Sequence, residues 1–154
     1  MHTWFLSVMN KNALEIFSEG TALFASEFFW EAIEKFELVV ESKSREYADD
    51  AMLNQAICYM RLGLYQEAKD KFLPVYKMEI GDNSFEGADE IIGTPSERAT
   101  LGLFRIALAE SDLDSAERYL DELRAVQASG VEREGTFISF YEIASEEFCT
   151  ATKK

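Results

Sequence analysis

Three segments of the chain share one spacing, a small alanine followed four residues later by a large apolar side chain. The pairs are Ala32 with Phe36, Ala68 with Phe72, and Ala116 with Leu120. Each sits in an amphipathic stretch: Glu31-Ala32-Ile33-Glu34-Lys35, Glu67-Ala68-Lys69-Asp70-Lys71 and Ser115-Ala116-Glu117-Arg118-Tyr119. Recurrence of this kind predicts an all-α chain that stacks helical hairpins. Such stacks make long surfaces rather than deep clefts, which directs the functional expectation toward binding and away from catalysis.

Apolar residues recur at helical spacing from Leu14 through Phe17 to Phe24, and again from Phe29 through Ile33 and Phe36 to Val40. The break between them falls near Ser26 and Glu27. Asn12 with Glu15 reads as a capping box, which starts the first helix at Ala13. A second hairpin runs from about Tyr47 to Arg61 and returns from Tyr65 to about Lys77. Its turn is Leu62-Gly63-Leu64, because glycine takes a left-handed backbone without steric cost. Glycines and acids between Glu79 and Thr94 predict an inserted loop. Thr94 can then cap a third hairpin, with Pro95 in a first turn that needs no amide hydrogen. That hairpin spans about Ser96 to Ala128 and turns at Ser111-Asp112. A seventh helix, about Glu134 to Thr150, places Phe137, Phe140, Tyr141, Ala144 and Phe148 along one side and caps the stack. The layout expected is an apolar segment over 1–12, three hairpins over 13–128 with the acidic insertion at 79–94, and a capping helix with tail over 129–154.

Aligned on the three alanines, the chain resembles the tetratricopeptide repeat family, whose unit is about 34 residues. Ala32 to Ala68 is 36 residues and Ala68 to Ala116 is 48, the excess being the acidic insertion. In the second repeat Ala56, Tyr59, Gly63, Tyr65, Ala68 and Phe72 match the family's small, aromatic, turn, aromatic, alanine and large apolar positions. The first repeat offers Gly20, Leu23, Glu27, Phe29, Ala32 and Phe36; the third offers Phe104, Ala107, Ser111, Leu113, Ala116 and Leu120. Phe104 departs from the small residue found at Gly20 and Ala56, so either Ala107 compensates or the register shifts toward Gly102. The family tryptophan is replaced by Ile16, Met52 and Thr100, and the proline that usually ends the unit is missing. The resemblance covers about residues 13 to 128.

Composition narrows the partners. With 15 basic and 29 acidic residues the formal charge is −14, which repels phosphate backbones and anionic lipid. Nucleic acid and membrane are therefore not expected partners, whereas basic segments of another protein would be attracted. The plainer reading of the same charge is a solvated acidic coat. No basic residue precedes Lys11, and the apolar stretch from Trp4 to Met9 is far shorter than the ~20 residues that span a bilayer, so a cytoplasmic protein is expected. Cys58 and Cys149 fit two buried free thiols.

Catalytic constellations are not found. His2 is the single histidine, so no Ser-His-Asp or Cys-His pair assembles within the fold. Cys58, between Ile57 and Tyr59, reads as packing, and Glu146-Glu147 as solvation. Asp82, Ser84, Glu86 and Gly87 alternate like the opening of a calcium loop, but the closing glutamate position is Gly93. Glycine-rich phosphate loops are missing as well. No catalytic residue, cofactor or metal is expected.

The family resemblance implies that the first helix of each hairpin lines a concave groove. On that face the chain would present Leu14, Phe17, Thr21 and Phe24, then Leu53, Ile57, Met60 and Arg61, then Arg98, Leu101, Arg105 and Leu108. Paired lysines and asparagines that some members use to grip a C-terminal carboxylate are lacking. An apolar groove would take large side chains from an extended segment or a helix, with the arginines orienting an acidic or main-chain oxygen. Two alternatives stand beside it: Trp4, Phe5, Leu6, Val8 and Met9 fold back and fill the groove, or these residues are ordinary core. The function expected is a non-catalytic adaptor that binds another protein. The alternatives are a cytosolic holding chaperone for a secreted or assembly client, resembling those of bacterial secretion in size and helical class, and a homodimer built on the first hairpin or the terminal helix.

Overall fold

The computed structural model describes the backbone of residues 2–42, 44, 47–76, 85–86 and 89–153, and the side chains of the same residues apart from 2–12, 85–86 and 89–90. Two compact units divide the chain, Met1–Lys71 and Phe72–Lys154.

The first unit holds α1 (His2–Ala25), α2 (Phe29–Glu41), α3 (Ala48–Arg61) and the start of α4 (Tyr65–Tyr76). Its core is Ala32, Ile33, Phe36 and Val39 of α2 with Ala51 and Cys58 of α3, and Ile16, Phe17, Leu23 and Phe24 of α1 pack against it. Helix α1 begins at His2 rather than at Ala13. An N-cap needs non-helical backbone, and with no glycine or proline before Gly20 nothing breaks the helix at Asn12. The side chains of Trp4, Phe5, Leu6, Val8 and Met9, named above as an alternative filling of the groove, lie outside the described residues.

The second unit completes α4 and adds α5 (Pro95–Ala109), α6 (Leu113–Arg124) and α7 (Phe140–Thr152). It also contains four short strands: β1 (Phe85–Glu86), β2 (Asp89–Ile92), β3 (Gly130–Arg133) and β4 (Thr136–Ser139). They form one antiparallel sheet in the order β1-β2-β3-β4, with Ile92 opposite Gly130, Ile91 opposite Val131 and Val131 opposite Ile138. Two expectations are corrected here. Part of the segment read as a plain acidic loop is β1 and β2, while Asp82, Ser84 and Gly87 lie outside the described residues. The terminal helix starts at Phe140 instead of Glu134, so Phe137 belongs to β4. Glu134 and Gly135 both take positive φ, 50° and 81°, which makes them the two-residue turn of a hairpin. Ser139 then caps α7: its hydroxyl accepts from the Glu142 amide at 3.0 Å while the Glu142 carboxylate accepts from the Ser139 amide at 3.3 Å.

Among the described residues the seven helices follow one another in a helical-repeat arrangement, the all-α solenoid class expected from the alanine spacing. The repeat is visible in its turns. Glu27, Gly63 and Ser111 take left-handed φ of 64°, 77° and 59°. In each case the following amide, of Phe28, Leu64 or Asp112, donates to the carbonyl five residues back, of Leu23, Tyr59 or Ala107, at 2.8–2.9 Å. The left-handed residue's own amide reaches Phe24, Met60 or Leu108 at 2.9–3.0 Å. This is one helix-ending motif used three times. It also settles the third register on Phe104, which precedes Ser111 by the seven residues that separate Gly20 from Glu27 and Ala56 from Gly63. Ala32, Ala68 and Ala116 are each 0 % exposed. At the third hairpin Thr94 caps α5 with Glu97 in a full capping box, and Pro95 opens the helix as expected.

Candidate functional site

Within the first unit, Leu14 of α1 is 49 % exposed, and Phe17, Thr21 and Phe24 below it are half-buried. The i, i+3, i+7, i+10 spacing keeps them on one side of the helix. Their inner edges are anchored: the Phe17 ring lies 5.6 Å from Phe36 and 5.8 Å from Tyr47, and Phe24 lies 5.7 Å from Phe29. The Thr21 hydroxyl donates to the Phe17 carbonyl at 3.0 Å, so its polar group is satisfied within the helix. On α3, Ile57 and Met60 are half-buried and Arg61 is exposed. Arg61 is already engaged, donating to the Glu27 carboxylate at 2.9 Å and lying 5.0 Å over the Phe29 ring.

Leu53 departs from the expectation, being 1 % exposed. Residues 53–56 are all buried, and four consecutive buried positions mean that α3 is covered on every side at its middle. The same applies more strongly to α5 in the second unit, where every residue from Arg98 through Phe104 is buried. Arg98 and Leu101 are therefore withdrawn from any surface. Leu108 is half-buried, and Arg105 grips Glu147 of α7 through Nε at 3.2 Å to both carboxylate oxygens and Nη2 at 2.9 Å. Glu147 is thus an ion-pair partner, where the sequence suggested only solvation. A binding face that used three waiting arginines does not match this geometry.

Other features carry no sequence forewarning. Gln55, buried in α3, donates through Nε2 to the Ile33 carbonyl at 3.2 Å and to Glu37 at 2.7 Å, and Glu37 also faces Lys71 at 3.6 Å. Burial first, and then the hydrogen bond to Glu122 and its charge, push the Tyr76 phenol well above the usual tyrosine range. That hydroxyl donates to both Glu122 oxygens at 2.5 and 2.7 Å. Phe28, Trp30 and Leu38 are exposed in the first unit, and Phe137 and Ile138 in the second. The latter pair announces itself in the sequence through Glu134-Gly135, a hairpin turn next to β-branched residues. Cys58 is buried as expected, but Cys149 is exposed, sharing the outer face of α7 with Glu142 and Glu146. Among the described residues no group of three His, Cys, Asp or Glu side chains is placed to hold a metal ion, and no helix is long and apolar enough to cross a membrane.

No family profile matches the sequence, and no solved structure matches the fold. The chain is similar to Sperm-associated antigen 1 of Rattus norvegicus, with 27 % identity over 136 residues that cover 81 % of this chain. That relative is a tetratricopeptide-repeat protein. The chain spans 14 % of the relative's length.

Proposed function

We propose that this chain is a non-catalytic protein-interaction module that holds a segment of a partner protein against the apolar side of α1 and α3. The observation that carries the reading is the partial exposure of Leu14, Phe17, Phe24, Ile57 and Met60 in the first unit. The distant likeness to a repeat-containing protein points the same way. Because these side chains are already partly covered, each has less than the ~1.5–3 kcal/mol of a full burial left to contribute, and several must act together. The test is affinity capture with the wild-type chain beside the double variant Leu14→Glu/Met60→Glu. Loss of captured partner with unchanged helicity and melting temperature supports the reading; equal capture removes it. Phe17→Glu is a poor choice, because that ring packs on Phe36.

A homodimer is the second reading, favoured by Phe137 and Ile138, which are 41 % exposed on the outer strand β4 of the sheet. Sedimentation across a range of concentrations distinguishes it: a monomer at every concentration excludes pairing through this edge.

A further inference from the structure

The α2 helix turns a second surface outward. Trp30, Glu31, Glu34, Leu38 and Glu41 are all exposed, Trp30 by 54 % and Leu38 by 48 %. At 100° per residue they fall within one stripe directly opposite Ala32, Phe36 and Val39, the core side of the helix. Trp30 and Leu38 are two large apolar anchors about 12 Å apart along the axis, at 1.5 Å per residue. Glu34 stands between them, with Glu31 and Glu41 at the flanks. No basic residue shares the stripe, and Lys35 beside it is held by Glu19 at 3.0 Å. The Trp30 ring stands nearly perpendicular to that of Tyr59, at 84° with centroids 6.2 Å apart. That contact fixes the indole and leaves its outer face open.

We propose that this face docks a basic amphipathic helix of a partner protein, with two apolar residues two helical turns apart meeting Trp30 and Leu38 and lysines or arginines meeting the glutamates. The charge pattern selects this occupant. Apolar groups covering Trp30 and Leu38 would bring Glu34 out of water, which is costly unless a cation arrives with them. A second copy of the chain would lay the same carboxylates against one another, and the net charge of −14 adds to that repulsion. A basic helix relieves both costs and is drawn in by the same field. The surface is separate from the apolar side of α1 and α3, so the proposal stands or falls independently of that reading.

The probe is a synthetic leucine–lysine–alanine peptide of about five helical turns, with leucines three and four residues apart on one face. Its control has the same composition with the leucines scattered around the helix. Replacing Trp4 by Phe leaves Trp30 as the only tryptophan, since the chain has 2. The expected result is a saturable change in Trp30 fluorescence that weakens with added salt and is about tenfold weaker for the scattered peptide. Leu38→Ala and Glu34→Gln each weaken binding about tenfold and leave the melting temperature unchanged, because both side chains are exposed. Equal binding of the scattered peptide overturns the proposal, as does binding unaffected by Leu38→Ala and Glu34→Gln. If Leu14→Glu/Met60→Glu abolishes peptide binding while these two variants do not, the peptide sits on the α1 and α3 side. Self-association that Leu38→Glu dissolves would assign the face to a second copy instead.

Discussion

Phe72 closes over Gly102 so tightly that a β-carbon at position 102 would lie 2.3 Å from the ring's Cζ and 2.6 Å from its Cε1. The ring is 1 % exposed and has nowhere to retreat. Gly102→Ala gains about 1 kcal/mol of helix propensity, yet overpacking a full core costs ~1–3 kcal/mol and here meets a contact far inside van der Waals range. A net loss of about 2 kcal/mol in urea unfolding is expected. Gly20→Ala, where Phe36 Cε1 would stand 2.8 Å away, loses less. Trimming the ring in Gly102→Ala/Phe72→Leu restores part of the loss relative to the sum of the single changes. An unfolding midpoint raised by Gly102→Ala alone would contradict this packing.

The three left-handed turn positions are not equally content. Gly63 adopts its φ of 77° freely, whereas Ser111 at 59° and Glu27 at 64° hold a β-carbon against the following carbonyl, a strain of ~1–2 kcal/mol. Ser111→Gly is expected to stabilise the protein by about 1 kcal/mol and to raise Tm by ~2–4 °C. Glu27→Gly relieves the same strain but loses the ion pair with Arg61, so its net effect is near zero. Gly63→Ala goes the other way by about 1 kcal/mol. Thermal melts of the three variants check the ordering.

The physical basis of these turns explains how much was legible in advance. Helix ends, alanine contacts and capping residues are local, and local chemistry places Gly63, Thr94, Pro95 and Ala116 correctly from the chain alone. The second register follows from the same logic, although Phe104 obscured the third because its small neighbour Gly102 serves a different contact, the one with Phe72. Surface assignments fared worse. The family resemblance implies an open groove face for Leu53, Arg98 and Leu101, but a repeat pattern cannot tell that α3 and α5 are covered on several sides. Pairing between distant segments, as between Ile91 and Val131 or Arg105 and Glu147, leaves no periodic trace at all. Glu134-Gly135 is a local turn signal, but the apolar spacing around Phe137 mimics a helix across it.

Tyr76 carries a pH signature. Its phenol is held protonated in the folded state by burial and by donation to Glu122, so its folded pKa lies above the unfolded value of about 10. The contribution is complete below that unfolded value. As pH climbs past it, the unfolded chain loses a proton that the folded chain keeps, and this is the direction in which stability falls. Wild-type unfolding free energy is therefore expected to decline as pH rises past about 10, with a shallower decline in Tyr76→Phe. At neutral pH that variant is about 1 kcal/mol less stable through loss of a partly exposed hydrogen bond to a carboxylate. Equal slopes for the two proteins would show that Tyr76 titrates as an ordinary surface tyrosine.

The pair Arg105 and Glu147 tests how the terminal helix is held. At its start α7 is fixed by the Ser139–Glu142 box and by the Phe140 amide, which donates to the Ser129 carbonyl at 2.8 Å. Toward its end the outer positions 149–152 are exposed, and Arg105 of α5 grips Glu147 in a bidentate contact. With the two side chains 40 % and 37 % exposed, the pair contributes only ~0–1 kcal/mol to global stability. Its local effect is larger, because the end of a terminal helix opens without global unfolding. Glu147→Ala is expected to leave the urea midpoint nearly unchanged while accelerating amide exchange over residues 146–152 several-fold, and Arg105→Ala does the same. The double variant adds nothing beyond either single one, since both remove one interaction. Raising the salt concentration should reproduce the effect in the wild type alone, which separates loss of the ion pair from loss of side-chain packing.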